Sequence, residues 1–172
     1  MIDGSMLQIM KLTGDLLHLT KDFDCKDKDL NEFIQVDALK YGRGKLAVTY
    51  AVLYDRELVG YFCLSNDSIS LNSEDKRKMD RLGKSQKNYP AIKIGRLGVS
   101  CARWGQGVGS FIIGNVVSKA LEHSENMGCR YITVDAYNKE GALSFYSKNS
   151  FKPFSEKGEK PNKPMYLDIM PE

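Results

Sequence analysis

The stretch from Ala91 to Ser124 constrains this chain more than any other. "AIKIGRLGV" reads as a strand with Gly95 and Gly98 inside it, and "RWGQGVGS" then adds Gly105, Gly107 and Gly109 within five residues. "FIIGNVVSKALEHSENMG" follows as a helix, with Ile112, Ile113, Val116, Val117, Ala120 and Leu121 on one stripe and Gly128 as its C-cap. Glycine inside a strand weakens it and marks a bulge or a close backbone approach. Glycines before a helix have another use. The first helical turn leaves backbone N–H groups without intrahelical partners, and the helix dipole places partial positive charge there. Without Cβ atoms in the way, an anion reaches those N–H groups. Trp104–Gly109 is therefore a candidate cradle for a phosphate or pyrophosphate.

Two familiar phosphate folds do not fit. A P-loop needs lysine and then serine or threonine after its last glycine, whereas Ser110 follows Gly109 directly. A dinucleotide Rossmann unit needs its glycines early and an acidic residue after the next strand. Here they come late, and Asp135 lies within the next strand, "CRYITVDAY".

The remaining chain reads as alternating elements. Asp27 is placed to cap a helix from about Lys28, whose inner face carries Leu30, Phe33, Ile34, Asp37 and Ala38 and which ends at Gly42 and Gly44. "KLAVTYAVLYDRELVGYFCLSNDSISL" changes period and predicts an antiparallel hairpin turning at Asp55–Arg56. A charged helical segment, broken at Gly83, separates this half from the strand at Ala91. "CRYITVDAY" is apolar enough for a central strand. "NKEGALSFYSKNSF" is a short helix with Ala142, Phe145 and Tyr146 near one face, and strands around Phe151–Phe154 and Met165–Ile169 close the chain. No internal repeat is present. The expectation is one domain over residues 7–172, with residues 1–6 a tag remnant or disordered start without functional weight.

Composition narrows the functional classes. No apolar run is long enough to span a bilayer, and the start carries no signal-peptide pattern. The four cysteines, Cys25, Cys63, Cys101 and Cys129, form no CxxC pair and are joined by only two histidines, so no metal site is expected. Scattered cysteines without a secretion signal point to the cytoplasm. The net charge of +3 is too small to argue nucleic-acid binding by itself, yet Ser73–Asn88 alone carries as much. That segment is a solvated face or a lobe that meets an anionic partner.

"GRLGVSCARWGQGVGSFIIGNVV", followed by "YITVDAYNKEGALSFYSKNSF", resembles the GNAT family of acetyl-CoA-dependent N-acetyltransferases. The family's Arg/Gln-x-x-Gly-x-Gly/Ala motif falls on Trp104, Gly105, Gln106, Gly107, Val108 and Gly109, departing at its first position. The resemblance implies an α/β (α+β) GNAT fold, with a mixed, mostly antiparallel sheet of six or seven strands flanked by helices. It also implies a splayed strand pair, Ile94–Val99 against Tyr131–Ala136, that admits the pantetheine arm. Backbone groups of Leu97, Gly98 and Val99 would bind that arm, with Asn138 beside it. The N–H groups of Gln106, Gly107, Val108, Gly109 and Ser110 would hold the pyrophosphate.

In this picture a substrate amine attacks the acetyl thioester directly. The Val99 N–H would stabilise the oxyanion and Tyr146 would protonate the departing thiolate. Read without the resemblance, Tyr146 is a core aromatic on an amphipathic helix. The strand Ala91–Ser100 has no Asp, Glu or His, and His123 sits on the polar side of its helix, so the general base is open. An acyl-cysteine route through Cys101 lacks a nearby histidine.

"LTKDFDCKDKDLNEFIQVDALKYG" and "YPAIKIGRLGVS" further resemble a GNAT subgroup that includes toxins of toxin–antitoxin modules, which acetylate the α-amine of aminoacyl-tRNA. That resemblance implies aminoacyl-tRNA as acceptor, an antitoxin partner, a homodimer, and Arg96 with the basic segment as phosphate contacts. Two alternatives stand beside it. One is an acetyltransferase for a small-molecule or protein amine, and the other an inactive acetyl-CoA-binding interaction module.

Overall fold

The computed structural model describes residues 2–71, 76–77, 86–154 and 161–170. Seven strands form one sheet in the order β1-β2-β3-β4-β5-β7-β6. They are β1 (Gln8–Lys11), β2 (Val48–Tyr54), β3 (Glu57–Ile69), β4 (Tyr89–Val99), β5 (Tyr131–Tyr137), β6 (Lys152–Pro153) and β7 (Asn162–Asp168). Pairings β1–β2, β2–β3, β5–β7 and β6–β7 are antiparallel. The helices are α1 (Lys28–Glu32), α2 (Ala38–Arg43), α3 (Val108–Ser124) and α4 (Glu140–Lys148), with short 3-10 turns at Gly4–Met6, Gly14–Thr20 and Cys101–Arg103. None is long and apolar enough to cross a membrane among the described residues.

Packing groups the chain into two compact units, Met1–Ser65 with Ile94–Val116, and Asn66–Lys93 with Val117–Glu172. The first unit is built around Phe23, Phe33, Ile34, Ala38, Tyr61 and Cys63. Its first helix starts where the capping chemistry directs. Asp27 is extended, and its carboxylate accepts the Leu30 N–H at 3.0 Å. Phe33, Ile34 and Ala38 are buried, as the helical spacing predicts. The helix is not uniform, however, because Phe33–Asp37 widens into a π turn before α2 resumes. Tyr61 on β3 donates its hydroxyl to the Leu30 carbonyl at 2.7 Å, and Gln35 reaches the Phe23 carbonyl at 3.2 Å. The Tyr61 hydroxyl thus takes a carbonyl of the helix ladder just before the widened turn, and side chains that do so distort helices.

The β2–β3 hairpin turns at Asp55–Arg56 as expected, with both residues left-handed (φ 48° and 65°) although neither is glycine. This is the backbone sign of a type I′ turn, whose twist matches the flanking strands. β1 was not expected from the sequence. Its four residues are mostly exposed and gain their strand character from pairing with Tyr50–Leu53.

The second unit packs Ile69, Leu71, Tyr89, Ala91, Tyr131 and Tyr166 together, with Phe154 against them. Tyr131 meets Tyr89 and Tyr166 edge-on, at centroid distances of 6.1 and 5.8 Å. β5 is central and largely buried, as its composition predicts. Ion pairs Lys93–Asp135 (2.6 Å) and Arg130–Asp168 (2.7 Å) fasten its flanks.

Two details of α3 correct the sequence reading. Its buried stripe runs through Val108, Ile112, Ile113, Val116 and Ala120, but Leu121 is 44% exposed. The helix ends at Ser124, and Gly128 lacks the left-handed conformation of a C-cap glycine. The Asn126 and Met127 N–H groups instead donate to the His123 carbonyl, so backbone turns close the helix before Gly128 is reached. His123 itself is half-buried rather than fully on the surface. The expected helix break at Gly83, most of the basic segment and most of the connector "SEKGEKPNK" lie outside the described residues.

Candidate functional site

The glycine-rich loop belongs to the first unit, where its backbone can be followed bond by bond. β4 ends at Val99. The Ser100 N–H then donates to the Val59 carbonyl (2.9 Å), and the Cys101 N–H to the Asp24 carbonyl (2.8 Å). Cys101–Arg103 makes one 3-10 turn. The Arg103 guanidinium lies over the Tyr54 ring at 5.3 Å and 3.1 Å from the Glu57 carboxylate, so the hairpin supports the loop from below. Gln106 donates its side-chain amide to Ala102 (3.1 Å) and its backbone N–H to Arg103 (3.3 Å). These contacts hold the loop in shape before any ligand arrives, which removes part of the ordering cost of binding.

Two of the expected cradle residues then use the left-handed freedom that glycine has at no steric cost. Gly105 (φ 72°) and Gly107 (φ 90°) are left-handed, and a Cβ on either would point into open space, with no atom within 4 Å. Their conformation turns the chain into α3. The first α-helical bond runs from the Phe111 N–H to the Gly107 carbonyl at 3.0 Å. The N–H groups of Val108, Gly109 and Ser110 precede that bond, so no helical carbonyl lies four residues behind them. The Val108 side chain is buried and anchors this turn. The result is a glycine turn that sets three first-turn N–H groups at the head of a helix of 17 residues, the kind of place where anions bind in proteins.

The strand leading to the cradle is closely packed. A Cβ on Gly98 would sit 2.7 Å from Tyr61 Cε1, and one on Gly95 would sit 3.1 Å from Cys63 Sγ. The interior glycines of β4 therefore mark close approach, as expected. Gly60 on β3 was missed, although it is an interior glycine of the same kind in "LVGYF". A Cβ there would lie 3.1 Å from the Gly98 carbonyl and within 3.3 Å of Ile112 and Val108 side chains. Gly60 thus lets β3, β4 and the start of α3 converge. Burial pushes the Cys63 thiol up to about 11, with Arg96 opposing weakly, so it stays neutral. Asp24, whose carbonyl receives Cys101, has its carboxyl held down to about 2, chiefly by the hydrogen bond from Lys26.

Leu97 and Val99 are half-buried on β4, and Arg96 is exposed. The Arg96 guanidinium lies over the Phe33 ring at 5.4 Å and donates to the Gly95 carbonyl at 2.8 Å. Trp104, where the motif departs from its pattern, is 57% exposed and donates its indole N–H to the Val99 carbonyl at 2.9 Å. No pattern in the sequence announces that bond.

Asn138 and Tyr146 belong to the second unit. Asn138 is exposed at the end of β5, and its backbone N–H donates to Pro161 at 3.0 Å. Tyr146 is buried on α4 between Phe145 and Phe151, whose ring centroids lie 5.0 and 5.3 Å away in edge-on geometry. Burial raises its phenol well above the ordinary tyrosine value, so the hydroxyl keeps its proton across the physiological range. A protonated phenol is a hydrogen-bond donor and a possible acid. Cys101 is half-buried, and the four cysteines are all free thiols. Among the described residues no cluster of His, Cys, Asp and Glu is arranged to hold a metal.

Known proteins resemble this chain in sequence and in fold. A tRNA-acetylating toxin of Mycobacterium tuberculosis (strain ATCC 25618 / H37Rv) is 23% identical over 134 residues, which is 76% of each chain. The crystal structure of a tyrosine-to-phenylalanine mutant of KacT superimposes with a TM-score of 0.81, at 22% identity over 95% of both chains. AtaT complexed with acetyl-methionyl-tRNAfMet gives a TM-score of 0.79 at 26% identity over 94% of both chains. AtaT has also been solved as a mutant with the C-terminus of the antitoxin AtaR and acetyl-CoA (TM-score 0.74, 24% identity, 95% of this chain and 93% of that one). The profile of the Acetyltransferase (GNAT) family matches residues 15–151, and the chain belongs to that family.

Proposed function

We propose that this protein transfers the acetyl group of acetyl-CoA to the α-amine of aminoacyl-tRNA and serves as the toxin of a toxin–antitoxin pair. The observation that carries the donor assignment is the cradle itself. Open ground over Gly105 and Gly107, immediately before the first turn of α3, suits a diphosphate. The acceptor assignment is supported by the likeness to AtaT, solved with an acetylated aminoacyl-tRNA. Arg96 is exposed on β4, and the whole net charge of +3 falls on the second unit while the first is balanced, which suits a polyanionic acceptor.

In this assignment the N–H groups of Gln106 to Ser110 grip the pyrophosphate. Leu97, Gly98 and Val99 offer backbone groups to the pantetheine arm, and Asn138 contacts it. Acetyl-CoA supplies an activated thioester. The Val99 N–H would stabilise the oxygen that gains charge when the amine attacks, and the two bound partners need little further ordering. Tyr146 keeps its phenolic proton until the thiolate departs and passes it to the sulfur, and the proton lost by the attacking nitrogen, relayed through solvent, restores the phenol. β4 carries no Asp, Glu or His, and the proposed acceptor needs no strong base there. A free α-amine titrates at about 7.7–8.0, and esterification of the adjacent carboxyl lowers this further. A substantial fraction of the amine is thus neutral near neutral pH, and a cytoplasmic location, where charged tRNA is made, belongs to the same reading. The fold's likeness to a toxin solved with its antitoxin supports a protein partner of the same kind.

The test is transfer of labelled acetyl from acetyl-CoA to charged tRNA, deacylated tRNA, polyamines and peptide amines. Label should appear on charged tRNA and leave with the amino acid on ester hydrolysis. Label on polyamines or peptides alone moves the assignment to a small-molecule or protein amine. Donor binding without transfer to any amine leaves an inactive binding module.

A further inference from the structure

Trp104 is the chain's single tryptophan, and the fold gives it no core to fill, since it stays 57% exposed. Its indole N–H is nevertheless committed, donating to the Val99 carbonyl at 2.9 Å. Val99 is the last residue of β4, and Trp104 immediately precedes the left-handed Gly105. The bond therefore joins the strand assigned to the pantetheine arm to the loop assigned to the pyrophosphate. On its other side the same peptide group is engaged as well, because the Ser100 N–H donates to the Val59 carbonyl at 2.9 Å. Indole, Val99–Ser100 peptide and β3 form a short relay in which each hydrogen bond strengthens the next. The loop cannot slide along β4 without breaking it.

We propose that Trp104 is a positioning residue for the donor. Its indole N–H fixes the spacing between the pyrophosphate cradle and the end of β4, so a donor gripped at its diphosphate arrives with its thioester end in register with Val99. This rests on the acetyl-CoA assignment above. A fixed spacing helps a molecule held at both ends and does nothing for one held at a single end.

Calorimetry with two probes separates these cases. The probes are acetyl-CoA and its nucleotide half, a 3′-phosphorylated ADP. They are titrated into the wild type, Trp104→Phe (a ring without the N–H) and Trp104→Gln (an amide donor without the ring). Trp104→Phe should weaken acetyl-CoA binding about fivefold, the equivalent of one hydrogen bond in a preformed site. The nucleotide half should bind unchanged, and the thermal midpoint should barely move. Trp104→Gln should recover part of the acetyl-CoA affinity. Equal weakening of both probes, no weakening of acetyl-CoA, or a Gln variant no better than Phe overturns the proposal. A wild type that binds neither probe overturns the acetyl-CoA assignment and this inference with it, whereas a wild type that binds both beside an unaffected Phe variant overturns this inference alone.

Discussion

Gly98→Ala adds one methyl group to the crowded face of β4. The new Cβ would lie 2.7 Å from Tyr61 Cε1, 3.3 Å from Cδ1 and 3.4 Å from Phe23 Cζ. Ordinary contact begins near 3.4 Å, so the ring must retreat by about 0.7 Å. Tyr61 has nowhere to go. It is wholly buried, bonded through its hydroxyl to Leu30 at 2.7 Å, edge-on to Phe23 at 5.5 Å and stacked with Phe33 at 6.1 Å. Overpacking of this kind costs about 2–3 kcal/mol. Alanine restores about 0.5–1 kcal/mol by restricting the unfolded chain. The net loss is about 2 kcal/mol, a fall of roughly 4–8 °C in melting midpoint for a chain of this size. Melts followed by circular dichroism measure it, and the same substitution in a Tyr61→Phe background should cost less, because that ring has lost its tether to Leu30. A Gly98→Ala protein as stable as the wild type, or more stable, would refute the reasoning, since alanine is otherwise the better strand residue.

Gly107→Glu should abolish acetyl-CoA binding in calorimetry, because it strains a left-handed position and sets a carboxylate where the diphosphate is expected; near-normal affinity would refute the cradle. Tyr146→Phe keeps the ring between Phe145 and Phe151 but removes the proton, so turnover should fall at least about tenfold while donor affinity holds. Equal turnover would make Tyr146 a packing residue. Stability should decline on the alkaline side. The buried Cys63 thiol is pushed up from 9.0 to about 11 and the buried Tyr131 phenol from 10.0 to about 12. Above pH 9 the unfolded chain loses these protons first, so stability is complete below that value and falls as pH climbs through the folded values. Urea midpoints should therefore drop between about pH 9 and about pH 12, and Cys63→Ala should blunt the first part of the drop; a flat profile contradicts the assignment.

Local chemistry made much of the fold readable in advance. Asp27 caps its helix through a bond spanning three residues, and the turn at Asp55–Arg56 is set by its flanking strands. The glycine turn into α3 was legible for the same reason, because glycines at the head of an apolar helix are a local device, and Gly105 and Gly107 are left-handed. What escaped was tertiary. The π turn at Phe33–Asp37 is stabilised from β3, where Tyr61 takes the Leu30 carbonyl. β1 becomes a strand through its partner rather than its composition. Gly128 looked like a C-cap by composition, but the chain closes α3 earlier through the His123 carbonyl. The Trp104–Val99 bond spans five residues around a bend and belongs to no periodic pattern.

The exposed indole has a practical consequence. With one tryptophan in the chain, all indole fluorescence originates on the loop between β4 and α3. Its emission should be red-shifted in the free protein, as expected for a ring 57% open to water. A nucleotide diphosphate held in the proposed cradle would change the local field and hydration, and the colour of that single emitter would follow. If the donor binds as proposed, the protein carries an intrinsic optical gauge of that binding, fast enough for stopped-flow mixing and free of any attached dye.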